Sequence, residues 1–553
     1  MAAFSLSGQK ILNPSFSWKR IPYNLRVALV STFVIGVVAH FFCYTNVFFN
    51  HDDASMYWYR ISLGDAATGT RWLTPLWQTM VACVQIPWLE GIFTLFFYSL
   101  SVWLICETLE ITYPALIVLV SGILVTSPTA ISSNMYLSSA HQYAGALLFA
   151  CLALYAFEKW KHGWFWAFGC LLVSAGTYGA YVNLSVTLFL MLHIVKILTT
   201  QRENPVRVFW DHLRFLLTFG AAMVATSGIV SVIIRIFGTT AQGRGDDAIH
   251  GTGTQYLENL LHAVDVVVEY FSPFNDLSYF QENPLVYGVF SVAAVCSLVL
   301  LVLLFIKNRI WQQPLRLLVL VVDILCLPLA MNLIGMFYQA HTLMQIAFVV
   351  PWLLFVLLAQ RFCTQPDLVA WVQAGAARAK VFVGYAVVVA AVSVVTIVNG
   401  IYLANVSYMK AYALYESGLA LTNRIVDRIE ATPDYVAGQT RVLFVGDIKN
   451  NYAPYRYGFA MTDSVTGIGR YSWDTSLTYN LVLSTYIEQQ LGIQMQFLNP
   501  TDPAYADTAP ELLAEAGVSW ADESEEIING LEAFPSQNCI YLQDDVLIIK
   551  LSD

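Results

Sequence analysis

The chain has 553 residues, of which 57% are hydrophobic, 14% aromatic and only 12% charged, with a formal net charge of −10. That balance excludes an ordinary soluble domain and speaks against a nucleic-acid binder; it places the chain among polytopic membrane proteins. The nine cysteines fall mostly inside apolar runs, and no Cys/His spacing resembles a zinc site. Neither a Walker A loop nor a Rossmann glycine pattern is present, so a nucleotide-bound donor has no support in the sequence.

Residues 1–24 are polar and carry Lys10, Lys19 and Arg20. The apolar run from Leu25 to Phe49 is too long for a cleavable signal peptide and no small-residue cleavage site follows it. Further apolar runs, each near the ~20 residues that cross a bilayer, cover 88–106, 112–127, 140–157, 164–180, 182–198, 214–237, 285–306, 316–336, 342–360 and 381–403. The expected fold class is a polytopic α-helical membrane protein of about eleven transmembrane helices. The shorter stretch from Leu73 to Pro87, interrupted by Pro75 and Gln78, reads as a juxtamembrane or re-entrant helix.

Positive charges set the orientation. With the N-terminus in the cytoplasm, sixteen Lys and Arg face inward before the C-terminal region, and only Arg60, Arg71, Arg235 and Arg244 face outward. This expectation puts the loop after the first span, the long loop 238–284 and everything beyond Tyr402 on the outer side. Loop 238–284 begins Gly-rich and polar, turns helix-like over Tyr256 to Tyr270, and reads as a candidate lid. Asp246-Asp247 within it reads as a solvated turn. The outer stretch from Ser127 to Gln142 is expected to be a short loop whose Asn134, Tyr136, His141 and Gln142 could bind sugar hydroxyls. Asp323 sits within a span, where a carboxylate marks either a packing partner or a transport function.

The composition then changes. Residues 1–404 form the membrane domain, and residues 405–553 carry eight Lys and Arg against twenty Asp and Glu. Arg441 to Val445 reads as a buried strand, Trp473 to Leu491 and Pro510 to Ala516 as helices, and Cys539 to Leu551 as a hairpin turning at Asp544-Asp545. This is an acidic α/β domain on the outer face.

The most informative stretch is the loop 49–72. Asp52 and Asp53 follow the first span directly, at a depth where ionised groups are costly without a task or partner. If 54–61 is helical, Arg60 shares a face with Asp53. A Gly/Thr turn leads to Arg71 and Trp72. The guanidinium groups of Arg60 and Arg71 suit a phosphate. Asp52 could equally be a helix N-cap.

An Asp-Asp pair just outside the first membrane helix, followed by Arg60 and by Arg71-Trp72, resembles the Gtr-type glucosyltransferases that modify bacterial O-antigen, within the GT-C class of membrane glycosyltransferases. Thr70 stands where that pattern has Gly. The resemblance implies a GT-C-like fold and transfer of a hexose, glucose first, from a polyprenyl-phosphate carrier to a lipid-linked or surface polysaccharide. It implies a multi-pass protein of the bacterial cytoplasmic membrane that needs the bilayer as partner and takes no nucleic acid. One carboxylate of Asp52 and Asp53 would act as general base; the other would orient the acceptor or hold a divalent cation such as Mg or Mn. Arg60 and Arg71 would bind the donor phosphate, and Trp72, His141 and Arg244 would bind substrate. Two alternatives stay open: a transporter or flippase for a lipid-linked saccharide, and an O-antigen ligase or polymerase.

Overall fold

The computed structural model describes residues 18–48, 60–82, 84–200, 204–240, 253–274, 280, 283–336, 340–446, 462, 464–467, 483–484, 487–488, 491–499 and 504–552. Helix α1 spans Tyr23–Thr45. The loop after it contains the short helices α2, Leu63–Thr68, and α3, Thr74–Gln78. The bundle continues with α4 (Pro87–Leu109), α5 (Pro114–Val125), α6 (Pro128–Met135), α7 (Leu137–Lys159), α8 (Gly163–Tyr178) and α9 (Val182–Thr199). Then come α10 (Pro205–Phe237), α11 (Gly253–Phe271), α12 (Pro284–Lys307), α13 (Pro314–Met331), α14 (Val350–Thr364), α15 (Pro366–Gln373) and α16 (Ala376–Glu430). The prolines act as start signals. Pro87, Pro114, Pro128, Pro205, Pro284, Pro314, Pro351 and Pro366 all lie in the first turn of a helix, where the missing N–H has no intrahelical partner to lose.

The protein is a polytopic helical membrane protein. Among the described residues nine helical stretches are long and apolar enough to cross a membrane, ten if the bent pair α5–α6 forms one span. One of the nine, Gly163–Thr199, is a hairpin. Ser174 of α8 donates to Ala146 O, while Ser185 of α9 donates to Ala150 O and His193 contacts Glu158. The two arms therefore run along α7 in opposite directions, turning at Gly179–Tyr181. Counted this way, the helices fall on the apolar runs of the sequence.

Three local expectations are corrected. The stretch from Ser127 to Gln142 is helical, because Ser127 caps a new helix by accepting from Ala130 N and Pro128 starts it; α6 is bent 48° from α5. The run 342–360 is helical only from Val350, the preceding residues forming short 3-10 turns. Arg60 and Ile61 are not helical, since Ser62 caps α2 through Asp65 N, so the helix expected over 54–61 does not reach Arg60.

Helix α16 runs unbroken for 55 residues, about 80 Å, so the compositional boundary at 404 falls inside one helix. Its last turns reach a four-stranded sheet of order β2-β1-β4-β3, formed by β1 (Arg441–Val445), β2 (Gln496–Phe497), β3 (Ile540–Gln543) and β4 (Val546–Lys550). β1 is parallel to β2 and β4, and β3 is antiparallel to β4. Alternation divides the core: Val442, Phe444, Leu547 and Ile549 pack on Ile425, Val426 and Ile429 of α16. Leu443, Val445, Val546 and Ile548 face Leu513 of α17 (Ala509–Glu515) and Ile528 of α18 (Ser524–Gly530). The strands read as unbroken apolar runs because both faces are covered. In the hairpin turn Asp545 accepts two hydrogen bonds from Arg441, at 2.8 and 2.9 Å, which hold its carboxyl below the usual carboxylate range. The helix expected over 473–491 lies mostly outside the described residues.

Charged groups gather at the end of the bundle opposite the α2–α3 loop. Glu110 lies 2.9 Å from Lys159 and 2.7 Å from Arg361. Buried Arg316 donates to the carbonyls of Ile197 and Thr200, covering orphan acceptors at the C-terminus of α9. Asp323, 1% exposed, faces His212 at 3.0 Å. Because His212 Nδ1 meets Val208 O and must donate to it, one proton lies between His212 Nε2 and Asp323. The carboxylate joins α10 to α13.

Partial burial alone would raise the Glu110 pKa, but Lys159 and Arg361 outweigh it and hold the group at about 2. Its stabilising contribution is complete above the ordinary carboxylate value of ~4.3 and is lost as pH falls through about 2. The pair is half exposed, so the effect is small, ~0.5–1 kcal/mol. Glu110→Gln should therefore melt slightly lower than wild type at pH 6, and the gap should close below pH ~4, as read by thermal unfolding in detergent.

Candidate functional site

Helices α2 and α3 carry the loop from the end of α1 back into the bundle. Ser62 caps α2, with Asp65 in its first turn where the helix dipole favours a carboxylate. Gly69 and Thr70 then turn the chain. Thr70 takes φ +64°, the left-handed region, which is strained for a β-branched residue. The sequence pattern that has Gly at this position thus has a backbone reason. Arg71 follows, its N–H bonded to Ala66 O and its guanidinium 4.9 Å from the ring centre of Tyr178 at the end of α8.

Two tryptophans seat this segment. Trp72 lies against Gly176: a Cβ built there would come within 2.4 Å of the indole. Leu73 N bonds to Gly176 O at 3.0 Å. One turn on, Trp77 lies against Gly145 of α7, where a Cβ would meet the ring at 2.5 Å, and its Nε1 donates to Thr177 Oγ1 at 2.9 Å. Gln78 accepts from Ile61 N, closing the loop on itself. The α3 segment is therefore a short helix wedged against α7 and α8.

Around it lies an aromatic and polar floor. Tyr143, Tyr178 and Tyr181 cluster with ring centres 4.6 to 6.4 Å apart. Tyr181 shares a 2.7 Å hydrogen bond with Ser133, and Tyr44 donates to Asn134 at 2.8 Å. His141 is fully buried with Nε2 3.2 Å from Trp77 O. That nitrogen carries a hydrogen, and Nδ1 has no partner among the described residues. The Trp72 indole N–H, Thr94 Oγ1 and Asn183 Nδ2 are also buried without a partner among the described residues. Each such group costs about 1–3 kcal/mol when nothing meets it, and a ligand rich in hydroxyls could supply the missing partners.

Of the residues read from the sequence, the structure brings together Arg71, Trp72 and His141. Arg60 is exposed at the entrance of the loop. Asp52, Asp53 and Arg244 lie outside the described residues. Among the described residues no group of three or more His, Cys, Asp and Glu could hold a metal ion. Sequence reasoning missed Glu90, 1% exposed in the first turn of α4, although it is the sole acidic residue of its apolar run. The three tyrosines were also missed, since aromatic residues in a span carry no signal of their own.

A helical membrane bundle with a loop folded into a polar, aromatic floor at one end has the form of a membrane-embedded transferase. Residues 41–359, more than half of the chain, match the glucosyl transferase GtrII family, and the chain belongs to that family. It is a membrane glycosyltransferase, acting between a sugar donor and an acceptor. No curated protein and no solved structure matches the chain.

Gly176→Ala should push Trp72 out of its seat at an overpacking cost of about 1–3 kcal/mol, and transfer activity should fall by about tenfold or more at normal expression. Thr70→Gly should do the opposite: release of left-handed strain outweighs the added chain entropy, giving a gain of about 0.5–1 kcal/mol with activity kept. Thermal unfolding and glycan analysis of the two variants side by side check both.

Proposed function

We propose that this chain transfers a hexose, glucose first, from a polyprenyl-phosphate carrier to a lipid-linked or surface polysaccharide such as O-antigen, on the outer side of the bacterial cytoplasmic membrane. The observation that carries the reading is the seating of Arg71 and Trp72, which close the loop that begins with the acidic pair, among buried polar groups at one bundle end. Glycosyl transfer needs a base for the acceptor hydroxyl and a cation for the departing phosphate. Asp52 or Asp53 supplies the first, and Arg71, joined by Arg60, the second. A divalent cation on the other carboxylate would add to that neutralisation. Trp72 and His141 would meet the sugar, and Arg244 would reach it from loop 238–284.

The gathering of Lys159, Lys196, Arg316 and Arg361 at the opposite end supports a cytoplasmic N-terminus and an outer site and C-terminal domain. A flippase reading drew on Asp323, whose pairing with His212 favours a packing role instead.

Mass spectrometry with linkage analysis of the host polysaccharide tests the proposal, using wild type, Asp52→Asn and Asp53→Asn at matched levels. Wild type should add a side-branch hexose, and loss of the base should lower transfer by about 10²–10⁴-fold. Two fully active variants would reduce the acidic pair to a helix cap, and an altered chain length without a branch would point to a polymerase or ligase.

A further inference from the structure

By composition Thr462 and residues 465–467 belong to the acidic C-terminal region, yet they are buried, and they pack against the membrane bundle. Val465, 1% exposed, is part of the bundle's own hydrophobic core. Thr466 is 4% exposed and tied on both sides: its N–H donates to Ser132 Oγ of α6 at 3.0 Å, and its Oγ1 accepts from Leu343 N at 3.2 Å. Lys410 of α16 donates to Thr462 Oγ1 at 2.9 Å. Gly467 takes φ +95°, and a Cβ there would lie 2.9 Å from that of Met135. This segment lies beyond the residues that match the family.

What it touches matters. Helix α6 has eight residues and leaves α5 at 48°; a helix so short does not hold its place by its own hydrogen bonds. One side of it presents Ser133 to Tyr181 and Asn134 to Tyr44, two anchors of the site floor. The other side meets Thr466 through Ser132, while Thr129 donates to Thr342 O beside Leu343.

We infer that Thr466 is a positioning residue of the transferase: through Ser132 and Leu343 it fixes α6, and α6 fixes the tyrosine and asparagine floor on which the sugar is oriented. The C-terminal region therefore completes the site. This rests on the glycosyl-transfer reading for its activity arm, and on geometry alone for its structural arm.

The test uses the full-length protein with Thr466→Val, Ser132→Ala, the two combined, and Thr466→Ser. Amide hydrogen exchange over 128–135 should quicken at least tenfold in the first three and return close to wild type in Thr466→Ser. In hexose transfer, kcat should fall about tenfold or more with KM for the donor little changed, and Thr466→Ser should restore it. Thr466→Val removes the acceptor of Leu343 N and Ser132→Ala the acceptor of Thr466 N, so the double variant loses both bonds and should be at least as impaired as the poorer single one. Unchanged exchange over 128–135 in the double variant overturns the inference whatever the activity, as does full kcat, or a loss of activity that only follows the amount of folded protein. A wild type that transfers no hexose overturns the glycosyl-transfer reading instead, and the exchange data still decide the tether.

Discussion

The packing of two indoles on two glycines is the contact on which this end of the molecule depends. A loop that leaves a membrane helix and turns back into the bundle brings backbone N–H and C=O groups with it, and these must be met within protein. Here the meeting is local. Gly176 and Gly145 let Trp72 and Trp77 come within van der Waals reach of the helix backbones, and at that distance Leu73 N reaches Gly176 O and Trp77 Nε1 reaches Thr177. With the loop fixed, Arg71 has one place to go, over the ring of Tyr178. Small residues on helices serve the same purpose wherever backbones approach closely in membranes.

Polar groups inside the bundle divide into two kinds by how they are satisfied. The ionisable groups away from the loop include several that are paired: Asp323 with His212, Glu158 with Lys196 and His193, Arg316 with two carbonyls, and His40 between Tyr408 and Val125 O. Such pairs tie helices together and leave nothing for a ligand. Near the loop, buried donors and acceptors of Trp72, His141, Thr94 and Asn183 have no partner among the described residues. Groups of that kind are open to the hydroxyls of a ligand, so the environment of a polar group says more about its task than its residue type does. Asp323 would be the natural suspect by type, and His141 is the better one by environment.

Much of this was legible in the sequence. Apolar runs gave the helices because their length alone decides whether they span, and the proline at the head of so many of them marks its start. The strands β1 and β4 were legible as continuous apolar runs, and the hairpin from its Asp-Asp turn. Other features were hidden for definite reasons. Helix α6 reads as loop because Ser, Asn and Thr dominate it; only the Ser127-Pro128 cap and its packing make it helical. Residues 342–349 are apolar enough to span but form 3-10 turns held by tertiary contacts. Arg71 and Trp72 were legible as a motif, whereas their partners Tyr178 and Gly176 lie more than a hundred residues away and carry no local mark.

A longer separation, 334 residues, lies between Thr466 and Ser132, and that contact bears on the shape of the C-terminal part. Helix α16 is one rigid rod from the bundle to the sheet, so the sheet cannot wander from the site. A compact domain at the end of a long helix needs only one return segment of chain to reach the bundle, and residues 464–467 provide it, with Val465 buried as deeply as a residue of the bundle itself. An acidic soluble domain joined by a flexible linker would have left that segment in water, where its burial would gain nothing. Helix and return segment together tie the C-terminal region to α6, so a substitution beyond the residues that match the family can reach the polar floor of the bundle.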